Sequence, residues 1–170
     1  LILNKLKNGE KGAFISDAGY PLISDPGHPL VKALIANDFS VSVINGSSAL
    51  LPALIGSALD TETFTFIGFL KGNNKDVLNT LKRYKSYKDT LIIYEAPHRV
   101  VKTIATIYTV FAERKLVIAR ELSTSRRKFA RNECDFTREK PGKHERRMTS
   151  LLVAKNATSS EKWAQKVGGE

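Results

Sequence analysis

The 170-residue sequence predicts an α/β fold in which mostly parallel or mixed sheets are flanked by helices. Three observations predict it. Strand-like and helix-like runs alternate through residues 1–122 with short connections between them, the pattern that lays helices on the faces of a sheet. An apolar fraction of 42% is enough for a core, and the length suits one compact domain or two small lobes. Finally, Gly/Pro-rich loops carrying polar or charged side chains follow the strand runs, where ligands bind in open α/β sheets.

Taken in order, Ala13-Phe14-Ile15 reads as a short buried strand that ends at the doubled hexad Ser16-Asp17-Ala18-Gly19-Tyr20-Pro21 and Ser24-Asp25-Pro26-Gly27-His28-Pro29. Leu30 to Ala36 reads as a helix with Pro29 at its first position. Phe39 to Ile44 alternates with period two, a strand. After Asn45-Gly46-Ser47-Ser48, the apolar run from Ala49 reads as a buried helix with Ser48 as N-cap and Pro52 in its first turns. Residues 63–70 alternate again. Asp76 to Tyr87 places Val77, Leu78, Leu81 and Tyr84 on one helical face. Residues 90–94 form a strand. Glu95-Ala96-Pro97-His98-Arg99 turns into a helix, rigidly started by Pro97, with Val100, Val101, Ile104, Ile107, Tyr108 and Phe111 inward. Lys115 to Leu122 is a further strand. From Ser123 periodicity is lost, and residues 151–153 are the one strand-like island in a segment whose composition predicts disorder. A lobe boundary is expected near Asp60–Thr63.

The net charge is +10. Residues 123–170 contribute 12 basic against 6 acidic side chains, so the most basic block is also the least patterned. Basic charge suits nucleic acid or acidic surfaces. No apolar run approaches the ~18 residues of a membrane span. The start lacks a Met, a basic n-region and a cleavage-site pattern, so no secretory signal is expected. The single cysteine, Cys134, makes no internal disulfide and has no ligands at metal spacing. A reducing cytoplasm is the expected compartment, and no metal site is expected.

Three segments are candidates for chemistry: 16–29, 45–49 and 95–99. In the first, Gly19 and Gly27 free backbone amides that suit an anion, while Asp17 and Asp25 suit hydroxyls or an ammonium. The same Ser and Asp side chains also close turns through their own backbone. In the second, Ser47 and Ser48 open a helix. In the third, Glu95 precedes a helix N-terminus that favours negative charge, Arg99 suits a phosphate, and His98 exchanges protons near neutral pH. Lys75, Lys82, Arg83, Lys85 and Lys88 line one polar helix face, which reads either as a solvated face or as a grip on RNA phosphates. A P-loop, a G-x-G-x-x-G dinucleotide loop, a G-x-S-x-G elbow and a zinc pattern are all absent from the sequence.

The segments "ISDAGYPLISDPGHPLVKAL", "SVINGSSALLPALIGSAL", "FIGFL", "LIIYEAPHRV" and "VIARELS" together resemble the small-subunit ribosomal RNA 2′-O-methyltransferases of the tetrapyrrole methylase superfamily, in order and over about residues 1–123. The resemblance implies a two-lobe fold with S-adenosylmethionine in the cleft. It also implies methylation of a cytidine ribose in small-subunit rRNA on the assembled particle. Asp17, Ala18, Gly19, Pro21, Ile23, Ser24 and Asp25 would bind the cofactor, with Ser47, Ser48 and Ala49 as a second wall. Glu95 would be base or water-mediated positioner and Arg99 the phosphate anchor.

By the same resemblance residues 1–61 are the second half of the cofactor-binding N-terminal lobe, 62–122 the substrate-side C-terminal lobe, and 123–170 a basic, poorly ordered or out-of-frame tail. The family's Thr-Pro-Ile-Gly-Asn-Leu loop and Glu-Asp-Thr-Arg motif are absent. Asn45-Gly46-Ser47-Ser48 replaces the usual Pro-Gly-Pro-Ser, and the family's Phe-x-Arg-Gly-Thr segment does not follow Leu122. An incomplete first sheet exposes a strand edge, so a homodimer or other self-association is expected, and the fragment's own turnover is in question. A tetrapyrrole (corrin or porphyrin) methylase of the same fold and a non-catalytic RNA-binding fragment are the rival readings.

Overall fold

Five strands and five helices are described by the computed structural model, which covers residues 1–112, 114–122, 128–130 and 149–153. The chain divides into two compact units at Ser48/Ala49, earlier than the boundary near residues 60–63 expected from the sequence.

The first unit holds α1 (Ile2–Lys7) and α2 (His28–Ile35). Gly27 caps α2 with φ 128°, and its carbonyl accepts the N–H groups of Leu30 and Val31. The helix therefore begins one residue earlier than the Pro29 start expected, with Pro29 in its second position. A methyl group on Gly27 would stand 2.6 Å from the Phe14 ring and 2.9 Å from Leu22, so only glycine lets the loop close over these two side chains. The strands expected at 13–15 and 39–44 are not formed. Alternating apolar residues make a strand only where a neighbour completes the ladder, and among the described residues neither segment has one. Ile15 is left 87% exposed and Ile44 85%.

The second unit holds α3 (Leu50–Ser57), β1 (Phe64–Phe69), α4 (Asn74–Arg83), β2 (Thr90–Glu95), α5 (Val100–Val110), β3 (Leu116–Arg120), β4 (Lys128–Ala130) and β5 (Thr149–Val153). Its mixed sheet has the order β1-β2-β5-β3-β4. β1 and β2 are parallel, joined through α4, and the other pairs are antiparallel. β5 lies between β2 and β3, with Leu151 opposite Ile93 and Ile118. Two short pieces of the segment expected to be poorly ordered are thus strands, one of them central. A composition averaged over 123–170 dilutes the apolar run at 151–153. The remainder of that segment, Cys134 included, lies outside the described residues.

Alternate residues of the sheet feed two cores. On one face Leu91, Ile93, Leu116 and Ile118 pack with Val77 and Leu81 of α4 and with Val100, Ile104 and Ile107 of α5. On the other, Ile92, Val117 and Ala119 pack with Ala53 and Leu54 of α3. β1 carries a bulge: Phe66 pairs with Ile92 and Gly68 with Ile93, so Ile67 is the extra residue, and Gly68 takes φ 75°. The slip brings Phe69 onto the Tyr94 face, and both Phe66 and Phe69 meet the Tyr94 ring edge-on at 4.8 and 5.7 Å. Simple alternation would have separated Phe66 from Phe69.

Several helix ends differ from expectation. Ala49, not Ser48, occupies the N-cap of α3, with no side-chain cap. α4 starts at Asn74 because Asn73 and Asp76 form a reciprocal capping box, the Asn73 side chain accepting from the N–H of Lys75 and Asp76 while Asp76 accepts from the N–H of Asn73. α5 starts at Val100, so Pro97 lies in the preceding turn and not in the helix. Val101 is 54% exposed, and Thr103 takes the inward place. At the far end of α5, Arg114 donates to the carbonyls of Lys85 and Tyr87 and lies over the Phe111 ring. Burial lowers its pKa, and the nearby Asp89 carboxylate opposes that shift. Among the described residues no helix is long and apolar enough to cross a membrane.

Candidate functional site

In the first unit the doubled hexad folds as two successive irregular turns. Ser16 Oγ donates to the carbonyl of Gly19 at 3.0 Å, so this serine closes the first turn through its own backbone. Asp17 plays no such part. It is exposed, as is Asp25, and neither has a partner among the described residues. Gly19 takes φ 78°, and the carbonyl of Ser47 lies 3.5 Å from where a methyl group on Gly19 would sit. The structure therefore brings the turn at 17–19 beside Ser47. Ala18, Ile23, Ser24 and Ser47 are exposed, while Pro21 and Ser48 are half-buried. Ala49, the N-cap of α3, belongs to the second unit.

Leu22 and Ser24 both adopt left-handed backbone, φ 70° and 64°. Each such residue without glycine's freedom costs on the order of 1 kcal/mol, and strain of this kind gathers at ligand-holding loops. No Gly, Asn or Asp stands at position 22 or 24 to announce it, so the sequence pattern gives no sign of it.

In the second unit Glu95 ends β2 with 1% exposure. Three groups hold its carboxylate. Oε1 accepts the Ala96 N–H at 2.8 Å, Oε2 accepts the Thr103 hydroxyl at 2.6 Å, and Oε1 lies 3.6 Å from Arg99 Nε. A buried carboxylate survives only when paired and hydrogen-bonded, and here both oxygens are engaged. Arg99 sits at the N-cap of α5 with its side chain 35% exposed. Its terminal nitrogens have no hydrogen-bond partner among the described residues. Glu95 thus fixes the inner edge of the guanidinium and leaves the outer fork directed elsewhere. His98 is exposed in the turn. Thr103 was not anticipated from the sequence. Its signal was its place between Val100 and Ile107 on the inward stripe, eight residues beyond Glu95.

The chain has clear relatives among known proteins. Residues 1–135 match the family model described as Tetrapyrrole (Corrin/Porphyrin) Methylases, and this range contains all three loop segments. A Halalkalibacterium halodurans protein named Ribosomal RNA small subunit methyltransferase I is 41% identical over 130 residues, 76% of this chain and 45% of the relative. A Synechocystis protein of the same name is 42% identical over 131 residues, 76% of this chain and 47% of the relative. The chain spans about half the length of the curated relatives it matches. Among solved structures, that of the methyltransferase CobJ superposes with a TM-score of 0.57 at 19% identity, covering 82% of this chain and 63% of that one, a likeness of fold.

Proposed function

Because the chain belongs to the tetrapyrrole (corrin/porphyrin) methylase family, we propose that it serves S-adenosylmethionine-dependent methylation of a ribose 2′-hydroxyl, that of a cytidine, in small-subunit ribosomal RNA in the cytoplasm. The observation that carries this reading is 41% and 42% identity, across three-quarters of the chain, to two proteins named Ribosomal RNA small subunit methyltransferase I.

The residues present fit the methyl donor. Exposed Asp17 and Asp25 without partners suit its ribose hydroxyls and ammonium group, and the open turn at Gly19 beside Ser47 suits close main-chain approach. Asp17, Ala18, Gly19, Pro21, Ile23, Ser24 and Asp25, with Ser47, Ser48 and Ala49, would hold it. When bound, S-adenosylmethionine supplies an electrophilic methyl group on a sulfonium. A ribose hydroxyl is a weak nucleophile, so the chain must align the oxygen and support loss of its proton. Glu95 is assigned here as a positioning residue. Both of its oxygens serve the chain's own donors, and through the contact with Arg99 it orients the guanidinium toward a phosphate.

The test is label transfer from methyl-tritiated S-adenosylmethionine by the full chain, offered small ribosomal subunits or a porphyrinoid. Label is expected in rRNA as an alkali-resistant ribose ether, lowered at least tenfold by Arg99→Ala and less by Glu95→Gln. Label in the porphyrinoid, or in neither acceptor, would overturn the reading.

A further inference from the structure

Between α4 and α5 lies a cavity of about 30 Å³ lined by Asn74, Val77, Arg99, Lys102, Thr103 and Thr106. The three-residue and four-residue steps of a helix put Arg99, Lys102, Thr103 and Thr106 on one face of α5. Two of these four are cations, and no carboxylate of the described residues lines the space. The acids of α4 and β2, Asp76 and Glu95, are already committed, and α5 carries none. Asp76 accepts the Asn73 N–H in the capping box, and Glu95 is held by Ala96 and Thr103. Lys102 is exposed and has no ion-pair partner among the described residues. Because β1 and β2 are parallel, the first turns of the helices that follow them, α4 and α5, come to the same end of that strand pair. That is the end where α/β sheets bind ligands.

We infer that Arg99 and Lys102, at the mouth of the cavity between α4 and α5, hold a phosphodiester group of the RNA strand undergoing methylation. This rests on the reading of the chain as an RNA methyltransferase and adds Lys102 and a location to it. The space has room for an oxygen-sized group, so a non-bridging phosphate oxygen enters beside Asn74 and Thr106. A donor carboxylate is the poorer occupant. It would bring an ammonium with it, and an ammonium calls for an acid that the lining does not contain. Lys102, which has no ion pair among the described residues, and the terminal nitrogens that Arg99 keeps clear of Glu95 together match the single charge of a phosphodiester.

The experiment measures binding of the full chain to a fluorescein-labelled single-stranded RNA across a salt series, for the wild type, Lys102→Gln and Lys32→Gln. It is paired with calorimetric titration of S-adenosylmethionine. Losing a whole phosphate contact lowers the slope of log affinity against log salt by about 0.7 for single strands, and a decrease of up to that size is expected for Lys102→Gln, which leaves Arg99 in place, with methyl-donor affinity unchanged. Lys32→Gln on α2 is expected to keep the wild-type slope. A Lys102→Gln slope equal to wild type, or an equal decrease in Lys32→Gln, overturns the subsite while leaving the functional reading intact. A wild-type chain that binds neither RNA nor S-adenosylmethionine overturns that reading and the subsite together.

Discussion

Thr103 is the residue on which the Glu95 arrangement turns. Its hydroxyl is the donor to Glu95 Oε2, and the carboxylate is 1% exposed, so water cannot readily replace it. Removing one partner of a buried polar group costs about 1–3 kcal/mol, more when the group is charged. Thr103→Val, which keeps the shape and deletes the donor, is expected to lower the unfolding free energy of the full chain by about that amount in urea denaturation, with Thr103→Ser near wild type. A Val variant within about 0.5 kcal/mol of wild type, the range of an ordinary surface change, would mean that the hydroxyl does not support Glu95. This pairing was half legible. The Glu-Ala-Pro-His-Arg run stood out in the sequence, but a threonine on an otherwise apolar stripe reads as a flaw in the pattern until the carboxylate beneath it is seen. Leu22 and Ser24 were not legible at all, because their left-handed backbone is imposed by the packing of the loop and not by their own preferences.

At the scale of elements, periodicity located the helices and strands of the second unit well and their ends less well. Alternation says which residues share a face. It does not say whether a neighbour exists, which is why 39–44 reads as a strand and carries no ladder, and why Gly68 inside β1 was the only hint of a bulge. The packing of α3 on β4 gives a sharp test. Gly56 lies inside α3, and a methyl group there would run into Phe129 Cζ and stand 2.9 Å from both adjoining ring carbons. Two effects oppose each other. Alanine favours the helix by about 0.5–1 kcal/mol over glycine, while overpacking a filled site costs about 1–3 kcal/mol. The head-on approach to the ring lets the second prevail, so Gly56→Ala is expected to destabilise by about 1 kcal/mol. In a Phe129→Ala background the same change is expected to stabilise. A sign that does not reverse between the two backgrounds, measured by thermal unfolding, would show that Gly56 and Phe129 do not meet.

At the scale of the molecule, the functional reading sets donor binding on the loops of the first unit and the Glu95–Arg99 pair on the second. The turns at 17–25 and the segment at 45–48 belong to the first unit, and Glu95 to Arg99 belong to the second. Methylation requires first that the loops of the first unit hold the methyl donor. Hydrogen–deuterium exchange of the full chain with and without S-adenosylmethionine reads this directly. Slowed exchange is expected in peptides spanning 16–25 and 45–49, with α1 unchanged. Exchange unchanged in both peptides at saturating donor would contradict donor binding at these loops.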